Sequence, residues 1–147
     1  MSKPTSPIAE LENLARVGKL KIESGTESEI NGLIASGVAR LRDANNTQLS
    51  FESRFDLAYN AAHALSLAAL RFHGYRSDNR YLVFQALPHT IGLAAAQRRV
   101  LAKAHDKRNL AEYEGHFDAD PQLLKDLLAA AEMVNVRLAL LMQPADK

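Results

Sequence analysis

Apolar residues along this chain recur at three- and four-residue steps, the signature of amphipathic helices. Ile8, Leu11, Leu14, Ala15 and Gly18 give a modest first helix after Pro4 and Pro7. Ser24-Gly25-Thr26 breaks it, and Thr26 followed by Glu29 has the spacing of a capping box. Ile30, Leu33, Ile34, Gly37, Val38 and Leu41 predict a second helix, ended by Asn45-Asn46-Thr47. Ser50 caps a third, running to about Gly74. Its apolar residues cover most of the circumference and leave a narrow wedge with Asp56, Asn60 and Arg71. A helix apolar nearly all round lies inside a bundle or in an oligomer interface. Tyr75 to Asn79 read as a loop, and Arg80 to Leu87 as a short apolar piece interrupted or kinked at Pro88. A long helix is predicted from about Ile91 to about Tyr113, stopped by Gly115. Asp120-Pro121 opens the last helix, whose stripe runs through Leu124, Leu127, Leu128, Ala131, Val134, Leu138 and Leu141. No segment shows convincing two-residue alternation. The pattern therefore predicts an all-α fold: an up-and-down bundle of four long helices plus shorter helical pieces. It forms one domain over 8–143, with a disordered segment at 1–7 and a tail at 144–147.

Composition narrows the functions available. A chain of 147 residues, 47% hydrophobic, has enough apolar surface for one folded domain. Lys and Arg number 18 against 17 Asp and Glu, so any nucleic-acid contact must come from a local patch, not from net charge. There is no cysteine, which removes disulfides and thiolate metal sites. No His-Glu-x-x-His or Gly-rich phosphate loop occurs, so neither metal nor cofactor is expected. The N-terminus has no apolar h-region, and no apolar run approaches the roughly 20 residues that span a bilayer. A cytoplasmic protein without membrane contact is the expectation.

Chemistry concentrates in Arg98, Arg99, Lys103, His105, Lys107 and Arg108, followed by Asn109, Glu112, Tyr113 and His116. On a helical wheel with Val100 at zero, Ala111 falls at about 20°, Ala104 at about 40° and Arg108 at about 80°, inside the apolar stripe. A guanidinium there needs a partner. Either it meets a carboxylate, for which Asp56 is available, or the stripe ends at a cleft or dimer seam. For the other basic residues a solvated helix face is equally consistent. His63, on the apolar third helix, reads as a core histidine hydrogen-bonded to a neighbour.

Two stretches resemble the HEPN superfamily (higher-eukaryote and prokaryote nucleotide-binding). Residues 54–74, with Ala58-Tyr59, many small residues and Gly74, are similar to a helix of that family. Arg108-Asn109-Leu110-Ala111-Glu112-Tyr113 resembles its Arg-Asn-x-Ala-x-Tyr element, placed before the last long helix. With the helix order, the resemblance covers roughly residues 27–142. It implies a helical bundle that forms a homodimer with its Arg motif at a cleft between subunits. It also implies a place in a toxin–antitoxin or related stress or defence module, with an antitoxin or nucleotidyltransferase as partner protein. Active members are metal-independent endoribonucleases in which four to six residues separate Arg from His. Here seven separate Arg108 from His116, and subfamilies with Arg…Ala-(Asp/Glu)-Tyr match better.

Three readings follow. In the first, the chain binds nucleotide or RNA through Arg108, Asn109, Tyr113 and His105. In the second it is an endoribonuclease, with His116 as general acid or base and Arg108 stabilising phosphorane charge. In the third it is a purely structural dimer. The site readings expect Arg108, Tyr113 and His116 to converge on one groove. The dimer rests on the third helix, too apolar for one small bundle to bury.

Overall fold

A computed structural model describes residues 7–115 and 117–144. The expectations for the first six residues, for His116 and for 145–147 lie outside the described residues. The protein is mostly helical: α1 (Pro7–Arg16), α2 (Glu27–Ala44), α3 (Phe51–Phe72), α4 (Arg80–Gln85), α5 (Leu87–Thr90), α6 (Ala95–Glu114) and α7 (Pro121–Leu141). Two short strands, β1 (Lys21–Ile22) and β2 (Tyr75–Arg76), pair antiparallel with Ile22 opposite Tyr75. No helix among the described residues is long and apolar enough to cross a membrane.

The helix starts are where the side chains put them. Thr26 accepts a hydrogen bond from the Glu29 backbone N–H at 3.0 Å, Ser50 from Ser53 at 3.1 Å, and Asp120 from Leu123 at 2.8 Å. Each satisfies one of the amides that a helix start leaves without a partner. Gly115 ends α6 with φ 78°, a left-handed geometry that a side chain would oppose. Several boundaries differ from the sequence reading. Pro7, expected in a disordered segment, opens α1, which ends at Arg16 before Gly18. The break expected at Pro88 falls at Ala86, with Pro88 in the first turn of α5, where a proline's missing N–H costs nothing. The sixth helix begins at Ala95, not near Ile91, because Gly92 adopts φ 69° and Ala94 is extended. The loop after α3 contains β2, a two-residue ladder too short to leave an alternating pattern.

α3 is the centre. It packs against α2, α4, α5, α6, α7 and β2, and Phe55, Ala58, Tyr59, Ala62, Leu65, Ala69 and Leu70 are all buried on it. This overturns the argument that took its all-round apolarity for a dimer interface: one chain's own elements cover it. Close approach of α2 makes the covering complete. At Gly37 a Cβ would stand 2.7 Å from Leu65 Cγ, so only glycine fits. A second, smaller cluster, with Leu11, Leu20, Leu70, Tyr75, Val83 and Ala86, seats α1 and the strand pair on the far end of α3.

That end is closed by Arg71, which is 3% exposed. Its Nε and one terminal nitrogen donate to the Glu29 carboxylate at 2.9 and 3.1 Å. Its other bonds reach Glu23 O at 2.8 Å, Tyr75 O at 3.2 Å, Glu23 Oε2 at 3.2 Å and Ser24 O at 3.3 Å. The Arg71 hydrogen bond holds the Glu29 carboxyl below its ordinary value, against a smaller opposing effect of desolvation. The Arg71→Met variant therefore loses about 2–3 kcal/mol at pH 7 in urea unfolding, below the roughly 3–5 kcal/mol of a fully buried pair because both carboxylates still touch water. Because Glu29 has a lowered folded value, its contribution is complete above about pH 4.5, where the unfolded chain ionises, and is lost as pH falls from there through the lower folded value. Glu29→Gln should flatten this acid-side loss; an unchanged acid slope would show that the pair contributes nothing.

Candidate functional site

The polar wedge of α3 places Asp56 and Asn60 toward α4 and α6. Arg108 on α6 meets Asp56 at 3.0 Å, the partner anticipated from the wheel. The pair is not fully buried: the Arg108 side chain is 27% exposed and that of Asp56 49%. Arg108 Nε is shielded from solvent and, among the described residues, has no hydrogen-bond partner. Arg80, at the start of α4, donates to Asn60 Oδ1 at 2.9 Å, and Asn60 donates to Asp56 at 2.9 Å (backbone O) and 3.3 Å (Oδ2). Both guanidiniums lie near the Tyr59 ring, with Cζ 5.3 Å (Arg108) and 5.5 Å (Arg80) from its centroid, within cation–π range.

The buried Tyr59 connects these cations to a histidine. Its Oη is 2.9 Å from His105 Nδ1, and His105 Nε2 is 3.0 Å from Asn109 Nδ2. Together with Asp78 and Glu112 these residues line an open cleft of about 410 Å³. A second hollow of about 570 Å³ lies on the other side of Arg108, between the start of α3 and Phe117. The Phe117 ring packs at a tilt against Phe55, centroids 4.6 Å apart, and Phe51, 5.9 Å apart, which pins the chain back against α3 after the Gly115 stop.

Burial sets the ionisation of this region. It pushes the Tyr59 phenol up, while hydrogen bonding and charge from Arg80, and charge from Arg108, pull it back. Burial lowers His105, and Arg80 lowers it further against an opposing Asp106. His63, edge-on to Phe84 at 6.1 Å, is pushed down to about 4, first by burial and then by Arg80 and His105. Among the described residues its neighbour is thus an aromatic ring, and no hydrogen-bonding partner of the kind expected is present.

Of the sequence-predicted residues, the structure brings together Arg108, His105 and Asn109. Tyr113 is 92% exposed and does not line the cleft; His116 lies outside the described residues. The expected three-residue groove is therefore not formed by Tyr113 in the single chain. A signal existed: Tyr113 follows Arg108 by five residues, about 140° around the helix, whereas His105 and Glu112 lie within about 60° of Arg108. Sequence reasoning also missed Tyr59, taken as core, and Arg80, which no motif marks. Among the described residues, no cluster of three or more His, Cys, Asp or Glu is placed to hold a metal ion. Comparison of the chain with known protein families, curated proteins and solved structures gives no match.

His63 provides a pH test of this arrangement. Its folded value lies below the unfolded 6.5, so the unfolded chain binds the proton first. The stability that depends on neutral His63 is complete above about pH 6.5 and declines as pH falls toward 4. Replacing His63 with Leu should remove on the order of 2–3 kcal/mol of that decline, read by denaturant unfolding at pH 7 and pH 4. An NMR titration placing the His63 midpoint above 6 would contradict the burial.

Proposed function

We propose that this chain is a HEPN-like up-and-down bundle of four long helices that binds nucleotide or RNA phosphates in the cleft around Arg108. The observation that carries this is the pair of guanidiniums, Arg80 and Arg108, gathered at one aromatic ring at the edge of an open cleft. Only one carboxylate, Asp56, is paired with Arg108, and Arg80 forms no ion pair among the described residues. Asp78 and Glu112 also line the cleft, so it is the local gathering of two guanidinium groups at one ring, not the net charge of the cleft, that favours an anionic ligand there. His105 and Asn109 lie beside them, and Tyr113, outside the cleft, is free to meet a neighbouring stretch of RNA. The resemblance in residues 54–74 and 108–113 supports the same reading, with a cytoplasmic toxin–antitoxin or stress module and an antitoxin or nucleotidyltransferase partner as its setting.

The endoribonuclease reading places the acid or base at His116. The histidine seen beside Arg108 is His105, whose two ring nitrogens are both engaged, so binding is the reading favoured. Fluorescence anisotropy with a labelled RNA at fixed salt tests it. Arg108→Ala and Arg80→Ala should each weaken binding about tenfold or more and reduce the salt slope by about one ion. Tyr113→Ala should have a smaller effect. RNA binding untouched by both arginine substitutions would leave only the structural reading; RNA cleavage in EDTA would establish the enzyme.

The homodimer is part of this proposal, moved to a different face. Ala129, Met133, Val136 and Leu140 are exposed on α7 at steps of four, three and four, the spacing of a helix–helix seam. A second copy of α7 is its simplest cover. Wild-type protein at micromolar concentration should sediment as a dimer and Met133→Glu as a monomer. A monomeric wild type would end the dimer reading.

A further inference from the structure

We infer that the Tyr59 hydroxyl is a ligand-contacting donor, aimed at a phosphoryl oxygen in the Arg80–Arg108 cleft by a fixed relay through His105 and Asn109. This rests on the nucleotide reading above and names the group that the cleft would hold.

The relay follows from the chemistry of each atom. Asn109 Nδ2 is an amide nitrogen, which only donates, so His105 Nε2 at 3.0 Å must accept with its lone pair. A neutral imidazole then carries its proton on Nδ1. That nitrogen is 2.9 Å from Tyr59 Oη, so His105 donates and the phenol oxygen accepts. Burial and the positive charge of Arg80 both keep the ring neutral. With its oxygen accepting from His105, the phenol's own proton must point elsewhere. Among the described residues no protein acceptor takes it.

Tyr59 itself is 3% exposed, and its ring is fixed between α3, Phe84 and the two guanidiniums. The cleft it lines therefore offers a hydroxyl proton beside two cations. All three are donors. A planar carboxylate presents two oxygens in one plane, whereas a phosphoryl group presents three in a tetrahedral array and meets donors arriving from separate elements, here α3, α4 and α6. Tyr59 is thus a binding residue. His105 and Asn109 are positioning residues that act through it.

Two measurements test this. In a long-range imidazole spectrum of nitrogen-15-labelled protein, His105 should appear as the Nδ1–H tautomer near pH 7. Asn109→Asp, at an exposed position where folding is not at stake, places an acceptor at Nε2 and should switch His105 to the Nε2–H form. An Nε2–H ring in the wild type, or no switch in the variant, overturns the relay. Calorimetry supplies the ligand arm with adenosine 5′-monophosphate, adenosine and inorganic phosphate as probes. Tyr59→Phe keeps the ring beneath both cations and removes only the hydroxyl. It should weaken binding of the monophosphate about tenfold, the loss of one charge-assisted bond. Adenosine binding as tightly as its monophosphate overturns the phosphoryl assignment. If Arg108→Ala abolishes binding and Tyr59→Phe leaves it intact, the hydroxyl inference fails and the cleft stands. If neither substitution matters, or none of the probes or the RNA binds the wild type, both fail.

Discussion

One strip of α3 carries the polar organisation of the molecule. Asp56, Asn60 and Arg71 fall within about 60° of each other on a helix that is otherwise mostly buried. At one end of the strip, Arg71 gathers Glu23, Ser24, Glu29 and Tyr75, which closes the turn into α2 and the strand pair. At the other end, Asp56 and Asn60 receive Arg108 and Arg80 from two further helices. A buried guanidinium is tolerated only when its donors are answered. Arg71 meets that condition with acceptors within its own neighbourhood. Arg108 meets it incompletely, and the cleft lies where the pairing stops.

The contrast between the two arginines separates structure from function. Around Arg71 every donor finds a carboxylate or carbonyl, and the contacts hold three chain segments in register. Around Arg108 a terminal nitrogen has a half-exposed carboxylate, Nε has no partner among the described residues, and an aromatic ring takes the place of a second anion. Similar side chains on neighbouring helices thus serve different ends according to how completely they are matched. Unmatched donors beside open space are the physical content of a binding site.

Much of this was legible in the sequence where the controlling interaction is local. Thr26, Ser50, Asp120 and Gly115 act within four residues of their own positions, and all set helix ends as read. Arg108 and its partner Asp56 were legible because helical geometry alone put a charge inside an apolar stripe. What escaped was non-local or unpatterned. The start of α6 depends on a left-handed Gly92 with no capping side chain beside it. Arg80 acquires meaning only through Asn60, twenty positions earlier. Tyr59 fits an apolar helix face so well that its hydroxyl is invisible until His105 is seen beside it. In the case of Tyr113 the motif outweighed the wheel, and the wheel was the better guide.

The tight seam at Gly37 has a consequence for how the molecule comes into being. With α2 pressed onto α3 and the remaining helices closing around them, the apolar girth of α3 is hidden by neighbours on the same chain. Reaching the native state is then a unimolecular event, with a rate indifferent to dilution. Association, where it occurs, joins finished subunits. Such subunits are free to exchange one partner for another without either having to unfold.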